Sequence, residues 1–261
     1  MKVQDFGQFD TVPFLFGGPY SNLQALEAFA EIVDDASAIC TGDVVAYGAN
    51  PAECVALIRE KGWPVVAGNC ERQIAEGADD CGCGFEDGTI CDLASRGWYP
   101  LALAACDEEM RRWMRKLPDI GVFQAEGRRY GVIHGGVRQI NRFLWPSDDD
   151  AIFREEIDFL REEIGHIDGV IAGHSGIAFH RNIDGCDWIN AGAIGLPPHD
   201  GRAETRFTTL TNGQAIFQRL SYDHSKASLE MEAMDLVQGY QKSLVTGLWP
   251  SEDVLPEELQ R

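Results

Sequence analysis

Thr41-Gly42-Asp43-Val44-Val45-Ala46-Tyr47-Gly48 follows the short apolar run Ala38 to Cys40. A strand that ends at once in a glycine turn and an acidic side chain delivers that group to the carboxyl edge of a sheet. Three later fragments repeat the arrangement. Gly68-Asn69-Cys70-Glu71 follows Pro64 to Ala67, His134-Gly135-Gly136 follows Tyr130 to Ile133, and Gly173-His174-Ser175-Gly176 follows Gly169 to Ala172. Each alone is an ordinary turn or capping sequence. Together, Asp43, Asn69, His134 and His174 form a plausible metal-ligand set at one shared edge.

Outward from these fragments the chain alternates. Val12 to Phe16 reads as a buried strand, Ser21 or Asn22 as a helix cap, and Ala38 to Thr41 as a second strand. Asn50-Pro51 starts a helix that runs to about Lys61, and Pro64 to Ala67 is a third strand. This βαβαβ order predicts parallel strands with right-handed crossovers. Residues 90 to 117 read as helical, with Trp98, Tyr99, Leu101, Leu103, Met110, Trp113 and Leu117 on the apolar face. Beyond them, hairpins are predicted around Glu126-Gly127, Asp184-Gly185 and Asn212-Gly213, and a charged helix from Asp148 to Ile164. After Tyr222 an acidic tail has helical spacing at Met231, Met234, Leu236, Val237, Tyr240 and Leu244. It is expected to dock on its own core, with Trp249 and Leu255 anchoring an extended end; the other reading is a homodimer contact. The expected division is thus a sandwich over 1–222 and a packed tail over 223–261.

Composition narrows the partners. A chain of 261 residues with a formal net charge of -20 would be repelled by nucleic acid and by anionic membranes, so neither is expected as a partner. No apolar run is long enough to span a bilayer, and the expectation is a cytoplasmic protein. Of the eight cysteines, Cys40, Cys54, Cys106 and Cys186 read as small buried hydrophobes. Cys70, Cys81, Cys83 and Cys91 crowd around a Gly-rich loop. A thiolate metal or redox site there is conceivable, but Cys-x-Cys is tighter than usual zinc spacing, so buried or loop thiols are the expectation.

In this order and spacing the fragments resemble the calcineurin-like metallophosphoesterase family, with Gly17 to Asn22 in the place of its first motif and Asn190 to Gly195 trailing the last. The resemblance implies an α/β fold, a four-layer α/β/β/α sandwich, and a phosphoester hydrolase with two metals a few Å apart. Motif by motif, however, the sequence departs from the family. Where one metal would take the Asp and His of the first motif and the final His, this chain has Gly18, Tyr20 and Gly176. The other metal keeps Asp43, Asn69, His134 and His174. Since all three changes fall on one side, the resemblance implies a degenerate first site and one retained divalent ion, for which Zn, Fe, Mn or Ni would suit these ligands.

Cys70 stands where the family has a histidine, and a thiol is a poorer general acid near neutral pH. Asp43, Cys70 and Glu71 are the candidate catalytic residues. Gly17 and Gly18 could offer backbone N–H groups to a phosphate, with Tyr20, Gly176 and His199 facing the same pocket. The expected function is hydrolysis of a small phosphorylated substrate, as a phosphatase or phosphodiesterase with weakened or altered catalysis. The alternative is a non-catalytic phospho-ligand-binding or regulatory protein on the same fold.

Overall fold

The structure is a computed structural model that describes residues 1–211 and 213–261. Its first strand, β1 (Val3–Phe9), is absent from the sequence reading, and the reason is physical: five of its seven residues are exposed, so no burial pattern marks it. It is held instead by a parallel ladder to a strand far along the chain. β2 (Phe14–Phe16) is shorter than expected, since Pro13 has no N–H to give a ladder. The Asn22 side chain accepts from the Ala25 N–H and caps α1 (Leu23–Val33). β3 (Ala38–Cys40) follows, and α2 (Pro51–Lys61) runs from Pro51 to a left-handed Gly62, as the Asn-Pro start predicts.

The expected third strand is only a bridge. Residues 64–67 lie parallel to β3, but only Val65 pairs with Cys40 before the Ala67 N–H turns to Pro118 O. α3 (Asn69–Glu76) then begins within the Gly-Asn-Cys-Glu fragment itself. The predicted helix over 90–117 is two, α4 (Ile90–Ala105) and α5 (Glu108–Lys116), because the Asp107 side chain accepts from the Met110 N–H and starts a new helix. Its expected apolar face holds for Trp98, Tyr99 and Met110, whereas Leu101 is exposed.

β4 (Ile120–Ala125) and β5 (Arg128–Val132) form the first predicted hairpin, with Glu126 and Gly127 both in the left-handed region. α6 (Asp150–Ile164), β6 (Gly169–Ala172), and the hairpin of β7 (Phe179–Ile183) and β8 (Cys186–Asn190) follow. β9 (Thr205–Thr211) and β10 (Gln214–Leu220) pair antiparallel; Asn212 of the predicted Asn-Gly turn lies outside the described residues. α7 (His224–Ala233) and α8 (Tyr240–Thr246) complete the helices, and a short 3-10 turn spans Glu257–Leu259.

The strands make a six-stranded sheet, β1-β4-β5-β6-β8-β7, and a four-stranded sheet, β10-β9-β2-β3. Leu15, Ile39, Phe123, Val132 and Ile171 interlock between them. α6 covers the outer face of the larger sheet through Phe153, Ile157 and Leu160. The remaining long helices cover the smaller one, burying Phe29, Ile58, Trp98 and Met114. The result is the four-layer α/β/β/α sandwich. The tail helices belong to the same core, where Met231, Leu236, Tyr240 and Leu244 are buried, while Met234 and Val237 stand exposed. Among the described residues no helix is long and apolar enough to cross a membrane.

Candidate metal centre

Both sheets deliver side chains to one edge. β3 leads to Asp43, the bridge segment to Asn69, β5 to His134 and β6 to His174. The loops cross so closely that two of their glycines are obligatory: a Cβ on Gly42 would press on the Gly68 backbone and the His134 ring, and one on Gly68 would strike the Asp43 carboxylate. Asp43 and His174 are themselves left-handed, with φ of 53° and 60°. Such backbone is unfavourable for non-glycine residues and persists where its surroundings enforce it.

One atom organises the site. His134 Nδ1 lies 2.6 Å from the Thr41 carbonyl oxygen, which can only accept, so Nδ1 carries the proton. In the neutral ring Nε2 is then a lone pair. It faces Asn69 Oδ1 at 3.0 Å, His174 Nδ1 at 3.1 Å and Asp43 Oδ2 at 3.2 Å. The Asn69 amide cannot turn a donor inward, since its Nδ2 donates to Cys81 O at 2.9 Å. One donor atom each from Asp43, His134 and His174 lies within 4.8 Å of the others. Asp43 Oδ2, Asn69 Oδ1 and the neutral His134 Nε2 are acceptors, and His174 Nδ1 makes a fourth when its ring proton is on Nε2, the set a cation requires.

The charges respond as expected of that crowding. Burial opposes a charge on Asp43, but facing His134 outweighs it and holds the carboxyl below its ordinary value. His134 is raised for the reciprocal reason, the carboxylate outweighing burial. Burial and the neighbouring His134 push His174 down to about 3. Glu71 is raised to about 7 by burial and then by the Asp43 charge.

The other predicted site residues are placed as follows. Glu71 is fully buried and turned to backbone, its carboxylate accepting from the N–H groups of Asp43, Val45 and Gly68. The Cys70 thiol is buried, and burial followed by Asp43 and Glu71 raises it well above its ordinary value. At the first motif, the Gly18 N–H is taken by Gly42 O and the Tyr20 N–H by Asp43 O. Gly17 is packed against Thr41 and Gly192. The Tyr20 ring rests directly on Gly18, and a Cβ on Gly176 would lie 3.7 Å from the Tyr20 hydroxyl and 3.6 Å from the Trp249 ring. Tyr20, Gly176, Asp43 and His174 share one cavity wall; His199 lies elsewhere, against the tail.

Two features escape the sequence reading. Cys81 and Cys83 are joined as a disulfide, not free thiols, because left-handed Gly82 folds the loop back and brings their Cα atoms to 5.3 Å. The aromatic lining of the cavity, Tyr47, Phe85, Phe143, Tyr240 and Trp249, comes from scattered segments that carry no shared motif.

Compared with known proteins, residues 20–213 match the calcineurin-like phosphoesterase superfamily domain. The chain belongs to the calcineurin-like phosphoesterase superfamily. An uncharacterized protein of Methanocaldococcus jannaschii is 28% identical over 182 residues, covering 68% of this chain and 67% of that protein. Two solved structures share the fold of this calcineurin-like phosphoesterase. The metallophosphoesterase from Sphaerobacter thermophilus has a TM-score of 0.69 at 19% identity, covering 90% of this chain and 98% of its own. A hypothetical protein from Pyrococcus horikoshii reaches 0.75 at 16% identity, with the same coverage of 90% and 98%. The family binds metal ions and acts on small phosphorylated substrates, which agrees with the cluster of Asp43, His134 and His174.

Proposed function

We propose that this protein is a phosphoester hydrolase working with one divalent metal held by Asp43, Asn69, His134 and His174. The observation that carries the proposal is the convergence of Asp43, Asn69 and His174 on His134 Nε2, with Thr41 O and Cys81 O fixing the His134 tautomer and the Asn69 amide orientation. When bound, the ion would act as a Lewis acid on a phosphoryl oxygen and lower the pKa of water. The first family site is read as degenerate: Gly18 and Gly176 provide no ligand, and the Tyr20 ring covers the ground between them.

The residues around the cavity also bear on the substrate. Among the described residues no lysine or arginine lines it, so a phosphodiester, with one negative charge, suits it better than a doubly charged monoester. Neither Cys70 nor Glu71 is free to donate a proton at the cavity: one thiol is buried and raised, and one carboxylate is committed to three N–H groups. This favours slow turnover and keeps a second reading, phospho-ligand binding without hydrolysis.

Elemental analysis of protein purified without chelator is expected to find about one transition-metal equivalent, lost in His134→Ala. Bis-p-nitrophenyl phosphate with added Mn²⁺ is expected to be hydrolysed faster than p-nitrophenyl phosphate. Metal bound without turnover, alongside thermal stabilisation by phosphate, would select the binding protein. Absence of metal in both the untreated and Mn²⁺-soaked protein would overturn the metal-dependent hydrolase.

A further inference from the structure

The cavity beside Asp43 and His174 measures about 40 Å³, room for about three waters. That space suits a phosphoryl group, and the organic groups of an ester must pass the side chains that wall it. Part of that wall is the chain after α8, which contributes Trp249, Pro250, Ser251 and Val254. Up to its terminal 3-10 turn this stretch contains no helix or strand.

Its attachment is made largely of side-chain hydrogen bonds gathered at one buried histidine. His199 Nδ1 accepts from the Trp249 N–H at 2.8 Å, so Nε2 carries the proton and donates to Glu252 Oε1 at 2.7 Å. Arg261 adds its backbone N–H to the same Glu252 oxygen and its Nε to the His199 carbonyl, each at 2.8 Å. The Trp249 indole donates to Pro197 O at 2.7 Å. At the other side, Asp253 accepts from the Ile90 N–H at 2.9 Å, the first residue of α4. Gly247, left-handed at φ 74°, marks where the stretch leaves α8.

We propose that residues 248–254 are a lid over the site, latched by His199 and Glu252, which swings from Gly247 to admit the substrate. The inference rests on the reading of the site as a phosphoester centre. A segment with no helix or strand of its own, held mainly by side-chain hydrogen bonds, can open at a free energy below that of global unfolding, as a lid must.

Cys91 reports the opening, because it lines the cavity under the lid and is a buried free thiol. In the full-length protein, its alkylation by N-ethylmaleimide is followed by peptide mass spectrometry. Slow modification is expected in the parent, roughly tenfold faster modification in His199→Ala and in Glu252→Gln, and slower modification with Mn²⁺ and inorganic phosphate. Cys186, on β8 in the other sheet, should stay protected throughout. Unchanged Cys91 rates in both variants overturn the lid, and so does a parallel rise at Cys186, which would signal global loosening. A metal-free protein with the expected Cys91 response would sink the phosphoester reading of the site and leave the moving segment standing.

Discussion

At the scale of single residues, Glu71 carries more of the site's architecture than its position in a motif suggests. Its carboxylate holds three backbone N–H groups from the two loops that present Asp43 and Asn69. Glu71→Ala leaves those donors buried and unpaired, a loss of about 3 kcal/mol or more at roughly 1–3 kcal/mol per group. A lowered urea midpoint would show it. Gly68→Ala drives a Cβ into the Asp43 carboxylate and should cost about 1–3 kcal/mol of overpacking. It should also weaken Mn²⁺ binding at least tenfold, a loss calorimetry would detect. The candidate ligands were legible in the sequence because each ends a short apolar run beside a glycine. The work of Glu71 was not, since its partners meet it only across two crossing loops. Nor was the Tyr20 ring's place on Gly18, which depends on a left-handed backbone at Tyr20.

At the scale of elements, legibility follows the locality of the signal. The Glu126-Gly127 and Asp184-Gly185 hairpins were readable because both residues of each turn are left-handed, a demand that falls on the turn alone. The start of α2 at Pro51 was equally local. β1 was invisible because its stability comes from a ladder to β4 and not from its own pattern. The division between α4 and α5 lay in one capping aspartate within an otherwise helical composition. Asp107→Ala removes the acceptor for the Met110 N–H and should cost about 1 kcal/mol, measurable by denaturant unfolding with an unchanged m-value.

The whole molecule carries a formal charge of -20, and its response to acid depends on which carboxylates the fold holds ionised. Asp187 is one of them. Burial raises its pKa, but hydrogen bonds from Asn182, Arg128 and His180 outweigh burial and keep it below the ordinary 3.8. A depressed carboxyl contributes stability above its unfolded pKa and loses it as pH falls through the folded one. Asp187→Asn should therefore lower the melting temperature at pH 7 and flatten its decline below pH ~4, the range where an unperturbed carboxylate titrates. Thermal melts across pH 2.5–7 compare the two slopes.

The smaller sheet has a bearing on how the chain is made. β2 and β3, which lead into the Asp43 loop, are joined to β9 through the pairing of Leu15 with Thr208. During synthesis β2 and β3 emerge well before β9 and must wait, as an unfinished edge, for it to follow. Folding of this sheet is thus governed by a long-range closure, slow by its topology. Its exposed early edge is where association with other nascent chains would start.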